Sequence, residues 1–190
     1  MNETHLRFLS SPEWARMLET DVLPWMEAAG DLGDDVLEVG PGPGLTTDLL
    51  RSRAARVTAI EVDPGLADAL EARLAGTNVE VVRGDATRSG LGPARFSGAA
   101  CFSMLHHMPS AEHQDRLFAE VHRLLRPGGI FLGVDSLDID VIRAGHEDDT
   151  FVPVDPDTVS GRLTAAGFDH VRVDLGGYQF RFVATKHPDA

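Results

Sequence analysis

Three short segments carry residue types suited to gripping a nucleoside. Val36-Leu37-Glu38-Val39-Gly40-Pro41-Gly42-Pro43-Gly44 leads an apolar run into a Gly-x-Gly-x-Gly turn. Glycines there admit positive φ and let the backbone pass close to a ligand. A helix start beyond the turn supplies free N–H groups. Ala59-Ile60-Glu61-Val62-Asp63 ends a second run, with Glu61 standing 17 residues after Gly44. A carboxylate at a second-strand tip can accept both hydroxyls of a ribose. Gly84-Asp85-Ala86 ends a third run, where Asp85 could reach an adenine amino group. A glycine-rich turn alone is also consistent with a tight structural turn. Three such segments, each at a strand tip on one edge, describe a nucleoside site. A fourth run ends Ser103-Met104-Leu105-His106-His107, and a neutral imidazole there can take a proton near neutral pH.

The elements that must position these residues follow from hydrophobic period. Trp14, Met17, Leu18, Val22 and Trp25 recur at spacings of three and four, so the first 30 residues read as helical. Ser10 or Ser11 caps the stretch, Pro12 opens its first turn, and Pro24 kinks or divides it. From residue 35 short apolar strands at 35–39, 56–61, 79–83, 99–105 and 130–134 alternate with helices at 45–55, 65–74 and 111–125. The turn 126–129 precedes the fifth strand. Such alternation implies a parallel sheet covered on both faces. A helix at 156–166 follows, then strand-like runs at 170–175 and 178–185 joined by Gly176-Gly177, a tight hairpin. The expected fold class is α/β: a doubly wound, mostly parallel seven-stranded sheet with an antiparallel C-terminal hairpin.

With these segments in place, the chain resembles the class I S-adenosylmethionine-dependent methyltransferases, in their small-molecule, type 11-like branch. The likeness covers about residues 35–135 well and the tail more loosely. Glu38 to Gly44 is similar to the family's first motif, Glu61 to its ribose-binding acid, and Gly84-Asp85-Ala86 to its adenine-side motif. Ser103 to His107 resembles its fourth-strand end, and Leu125-Arg126-Pro127-Gly128-Gly129 its turn before the fifth strand. The resemblance implies a Rossmann-like methyltransferase fold. It also implies that Glu38, Gly40, Pro41, Gly42, Gly44, Glu61, Val62, Asp85, Ala86 and Ser103 hold S-adenosylmethionine. His106 is the candidate general base, against the alternative of a histidine that bonds a loop carbonyl. If the fourth strand persists, His106 and His107 point to opposite faces. His5, Trp14, His107 and His146 are candidates for the acceptor pocket, against simple core packing. The whole chain, 1–190, reads as one domain: a helical lid over 1–30, the cofactor core over 35–135, and a substrate-side segment with the terminal hairpin over 136–190.

Two rival functions stay open. One is a non-catalytic S-adenosylmethionine-binding protein. The other is a nicotinamide-dependent oxidoreductase, whose G-x-G-x-x-G fingerprint differs from glycines spaced by two throughout. No metal is expected: His106, His107 and His113 match no ligand spacing, and His146-Glu147-Asp148-Asp149 reads as a solvated loop. The 190 residues are 43% hydrophobic and 25% charged, which excludes a disordered or low-complexity chain. One cysteine, Cys101, cannot form an internal disulfide, and no stretch approaches a membrane span. These features point to the cytoplasm. A net charge of −13 argues against anionic partners, nucleic acid and membrane alike. The missing Asn/Asp-Pro-Pro-Tyr/Phe signature after the fourth strand argues the same way for nucleic acid. The expected partner is a small-molecule substrate; monomer and homodimer both stay open.

Overall fold

Short strands of Val, Leu, Ile and Ala bury both faces only if helices flank them, and that arrangement is found. The computed structural model describes residues 2–189. Its strands are β1 (Asp35–Val39), β2 (Arg56–Glu61), β3 (Val79–Arg83), β4 (Phe96–Phe102), β5 (Leu125–Ser136), β6 (Phe168–Leu175) and β7 (Gln179–Lys186). They form one sheet in the order β3-β2-β1-β4-β5-β7-β6. β1 to β5 run parallel, and β7 runs antiparallel to both β5 and β6. The expected doubly wound sheet with a terminal hairpin is therefore present. Every residue of the central strand β1 is buried.

The helices are α1 (Glu3–Leu9), α2 (Pro12–Met17), α3 (Leu23–Ala29), α4 (Leu45–Arg51), α5 (Pro64–Leu74), α6 (Ala111–Leu124), α7 (Asp140–Gly145) and α8 (Pro156–Ala165). On one face α6 buries Leu117, Phe118, Val121 and Leu124, in a cluster with Phe131, Phe168 and Phe182. On the other face Trp14, Leu18, Val22 and Met26 pack with Val36 and Leu132. The amino-terminal stretch breaks at Ser10 and Ser11, and over residues 12–29 it runs on helically through Pro24, which does not divide it. Ser11 Oγ accepts from Trp14 N–H at 3.1 Å to cap α2, with Pro12 in its first turn. A π-helical turn, Leu18–Val22, then shifts the ladder so that Leu23 N–H reaches Leu18 O. The shift comes just before Pro24, which has no N–H to give. None of the described helices is long and apolar enough to cross a membrane.

Several boundaries differ from the sequence reading, and one helix, α7, was not expected. β4 spans 96–102 rather than 99–105, because Ser103 turns left-handed at φ 51° and ends it. Leu105–His107 then forms a 3₁₀ turn. β5 runs through 126–129, with Phe96 paired to Leu125 and Gly98 to Ile130 across a register shift. α4 stops at Arg51. α7 has only six residues, too few to show a helical period among acidic neighbours.

Candidate active site

The carboxyl ends of the parallel strands carry the site. After β1 the chain turns through Gly40, Gly42 and Gly44, at φ 66°, 53° and 87°. A Cβ on Gly44 would lie 2.3 Å from Leu70 Cδ1 and 2.4 Å from Arg73 Nη2, so the turn also needs glycine for space. Glu61, at the end of β2, is 5% exposed. Its Oε2 accepts Gly42 N–H at 3.0 Å and its Oε1 accepts Asp63 N–H at 2.9 Å. One carboxylate thus ties the second-strand tip to the glycine turn, with a lone pair left on each oxygen. Asp85 Oδ1 accepts from Thr87 N–H and Thr87 Oγ1–H, both at 2.8 Å, holding the third-strand tip.

Glu38 lies beneath the turn and is 1% exposed. Thr46 Oγ1–H donates to its Oε1, while its Oε2 is buried without a partner. Burial pushes the Glu38 carboxyl up to about 7.

Three spaces follow one another along this edge. The first, of about 350 Å³, is lined by Gly40, Glu61, Val62, Asp85, Ala86 and Met104 among others. The second is a slot of about 20 Å³ between the glycine turn and Trp14. The third, of about 370 Å³, is lined by His5, Phe8, Trp14, Ser103, His146 and Tyr178 among others. Gly40 and Met104 border the first and second spaces. Leu9, Trp14 and Ser103 border the second and third. Neighbours through these residues, the three spaces make up a trough: one end bordered by Glu61 and Asp85, a narrow waist, and a mostly apolar end.

His106 and His107 are not where strand alternation put them. The 3₁₀ turn brings His106 and His107 to the same side, their rings 4.2 Å apart by centroid. His106 is fully buried and lines none of these spaces, so its expected direct contact with the acceptor is revised. Its Nδ1 bonds Asp135 Oδ1, and its Nε2 sits 3.1 Å from His146 Nε2. Its partner is a carboxylate rather than the loop carbonyl considered above. His107 borders the cofactor-side space rather than the acceptor pocket. His146 is 8% exposed, not part of a solvated loop. His5, Trp14 and His146 do meet at the apolar end. Burial, then the neighbouring imidazoles, push His5 down to about 4 and His107 down to about 3, so both stand neutral.

The sequence reading missed Asp135 and Tyr178. Asp135 Oδ2 also accepts Leu105 N–H at 2.7 Å, and its Oδ1 accepts Ser136 N–H at 2.6 Å. The available signal was an acid ending the apolar fifth strand, at the edge where the other acids stand.

A family profile described as a methyltransferase domain matches residues 37–133, just over half of the chain. The chain belongs to this methyltransferase family. Its cofactor is S-adenosylmethionine. The methyltransferase is similar in fold to a SAM-dependent methyltransferase from Aquifex aeolicus, with TM-score 0.76, 21% identity, and coverage of 97% of this chain and 98% of that one. It is also similar to Haemonchus contortus phosphoethanolamine N-methyltransferase 2 in complex with S-adenosyl-L-methionine. There the TM-score is 0.73 at 14% identity, over 87% of this chain and 52% of the other. Among curated proteins, it is 43% identical over 72 residues to ribosomal RNA small subunit methyltransferase A of Deinococcus radiodurans, covering 37% of this chain and 25% of the relative. The same enzyme of Moorella thermoacetica is 53% identical over 57 residues, covering 30% and 20%. The chain thus spans about a fifth to a quarter of these relatives' length. These relatives overturn one expectation. Net charge and the missing fourth-strand signature do not exclude a nucleic-acid partner for this methyltransferase, since the curated relatives that match part of it are named for ribosomal RNA.

Proposed function

We propose that this chain transfers a methyl group from S-adenosylmethionine to a small-molecule acceptor bound at the apolar end of the trough. The observation that carries the reading is that the three spaces are neighbours, the first two sharing Gly40 and Met104 and the last two sharing Leu9, Trp14 and Ser103. A nucleoside fits the acid-lined end, where Glu61 meets the ribose, with Asp85 and Val62 beside the base. Glu38, buried beneath the turn and bordering none of the three spaces, braces the turn through Thr46 rather than meeting the ligand directly. Bound at the acid-lined end, the cofactor supplies an electrophilic methyl on a sulfonium. The chain's part is alignment and exclusion of water. Trp14 and Leu9 wall the waist, and Phe8, Met17 and Tyr178 give the acceptor an apolar seat. Residues 2–30 and 136–154 act as covers over that seat; Met1, the first residue of the expected lid, lies outside the described residues. The one cysteine, Cys101, is buried and free, in keeping with a cytoplasmic location.

A second reading, an RNA acceptor, is favoured by the names of the curated relatives. Incubation with methyl-labelled S-adenosylmethionine and either a small-metabolite extract or total RNA separates the two. Label in a metabolite fraction supports the first reading, and label in RNA replaces it with the second. No label in either supports the non-catalytic binding protein.

A further inference from the structure

Four of the eight histidines converge on one point, although they come from three separate parts of the chain. His5 lies on α1, His106 and His107 on the turn after β4, and His146 at the end of α7. One ring nitrogen from each lies within 4.8 Å of all the others. Three of the rings are anchored through Nδ1. His146 Nδ1 is 2.7 Å from Ile142 O, His107 Nδ1 is 3.1 Å from Thr150 O, and His106 Nδ1 meets Asp135. A carbonyl only accepts, so His107 and His146 carry their proton on Nδ1 and turn a bare Nε2 inward. His107 Nε2 and His5 Nδ1 are buried with no hydrogen-bond partner. The Nε2 atoms of His106 and His146 face each other at 3.1 Å. At that distance the pair shares either a proton or an ion.

We propose that His5, His106, His107 and His146 form a binding site for a divalent metal ion of the zinc class. Neutral imidazoles suit zinc among first-row ions, and Zn–N bonds of about 2.0–2.1 Å place tetrahedral ligand atoms about 3.3 Å apart. The His106–His146 pair already has that spacing. The Nδ1 contacts to Asp135, Ile142 O and Thr150 O are the outer partners that orient zinc-binding imidazoles. With four protein ligands the site is closed, which is the structural type. The ion would join α1 and the end of α7 to the strand edge. Asn2 already stitches the same two segments, its N–H donating to Asp149 Oδ2 at 2.8 Å and its Nδ2 to Gly145 O at 3.0 Å. His5 and His146 also border the apolar pocket, so the ion would fix one wall of it. This site was not legible in the sequence, where no two of its three segments are adjacent.

The test uses tag-free protein stripped with a chelator, dialysed, then titrated with zinc chloride or cobalt chloride. The expected result is one ion per chain by elemental analysis, a visible cobalt band of tetrahedral nitrogen ligation, and a raised Tm. His5→Ala and His146→Ala should each weaken zinc binding by at least about 100-fold. Asp135→Asn, which keeps all four ligands, should weaken it by about 10–100-fold. His187→Ala, in the exposed tail, should leave it unchanged. His5→Ala changes only a surface helix, so it remains informative if the His146 variant does not fold. Zinc binding that persists in His5→Ala, or no stoichiometric binding by the wild type, overturns the site.

Discussion

Replacing Glu61 separates two duties, the ribose contact proposed for its side chain and its observed tie between the glycine turn and β2. Its oxygens hold Gly42 N–H at 3.0 Å and Asp63 N–H at 2.9 Å before any ligand arrives. Cofactor binding therefore needs little rearrangement of the carboxylate. Two charge-assisted bonds to ribose hydroxyls are worth about 1.5–3 kcal/mol each before desolvation. Glu61→Ala removes both and frees the turn, for a net loss of about 2–4 kcal/mol, or roughly 30- to 1,000-fold in affinity. Glu61→Gln keeps the shape but has one acceptor oxygen. Its amide NH₂ must then face either Gly42 N–H or Asp63 N–H, donor against donor. Leaving one buried N–H unmet costs about 1–3 kcal/mol. That lowers Tm by roughly 2–12 °C in a chain of this size. Titration calorimetry with S-adenosylhomocysteine and a thermal melt read the two duties separately. Glutamine affinity within twofold of wild type, with an unchanged Tm, would refute both.

Glu38 makes stability depend on pH. Its carboxyl is raised from 4.5 to about 7 by burial, so the folded state holds a proton that the unfolded state has lost between those values. The stability is complete below about 4.5 and is lost as pH rises through about 7, by about 3 kcal/mol in total. In denaturant titrations at pH 5 and 8, Glu38→Gln should flatten that fall; an equal fall in both proteins would contradict the assignment. Tyr178→Ala should leave Tm unchanged, since the side chain is 67% exposed, yet raise KM for the acceptor several-fold; a lowered Tm with unchanged KM would remove Tyr178 from the pocket wall. Gly44→Ala meets Leu70 and Arg73 at φ 87°, so it should destabilise by about 1–3 kcal/mol and impair cofactor binding. A melt and a titration indistinguishable from wild type would show that the turn tolerates a side chain.

Local chemistry was legible where it was contiguous. β1, β2 and β3 have the bounds their apolar runs suggested, and Glu61 and Asp85 stand at the strand tips where spacing put them. The hairpin across Gly176-Gly177 followed from turn chemistry, with Gly176 N–H bonding Gln179 O at 2.7 Å. What escaped depended on backbone events with no side-chain period. Ser103 at φ 51° stops β4 early, and the turn beyond it rotates His106 and His107 to one side. The strand rule of opposite faces failed for that reason. His146 read as solvated because the acidic Glu147, Asp148 and Asp149 follow it, whereas its ring is drawn in by α7 and the Ile142 carbonyl. The role of Asp135 needed the fold, since its partners Leu105 and His106 lie about thirty residues away.

The central claim is that the glycine turn, Glu61 and the acid-lined pocket take S-adenosylmethionine. Thermal melts with S-adenosylhomocysteine, and separately with NAD, test it most directly. At about 100 times its Kd the ligand adds about 2.7 kcal/mol of stability, a rise of roughly 5–10 °C. The account predicts that rise with S-adenosylhomocysteine and none with NAD, and its loss in Glu61→Ala. A rise with NAD and none with S-adenosylhomocysteine would contradict it.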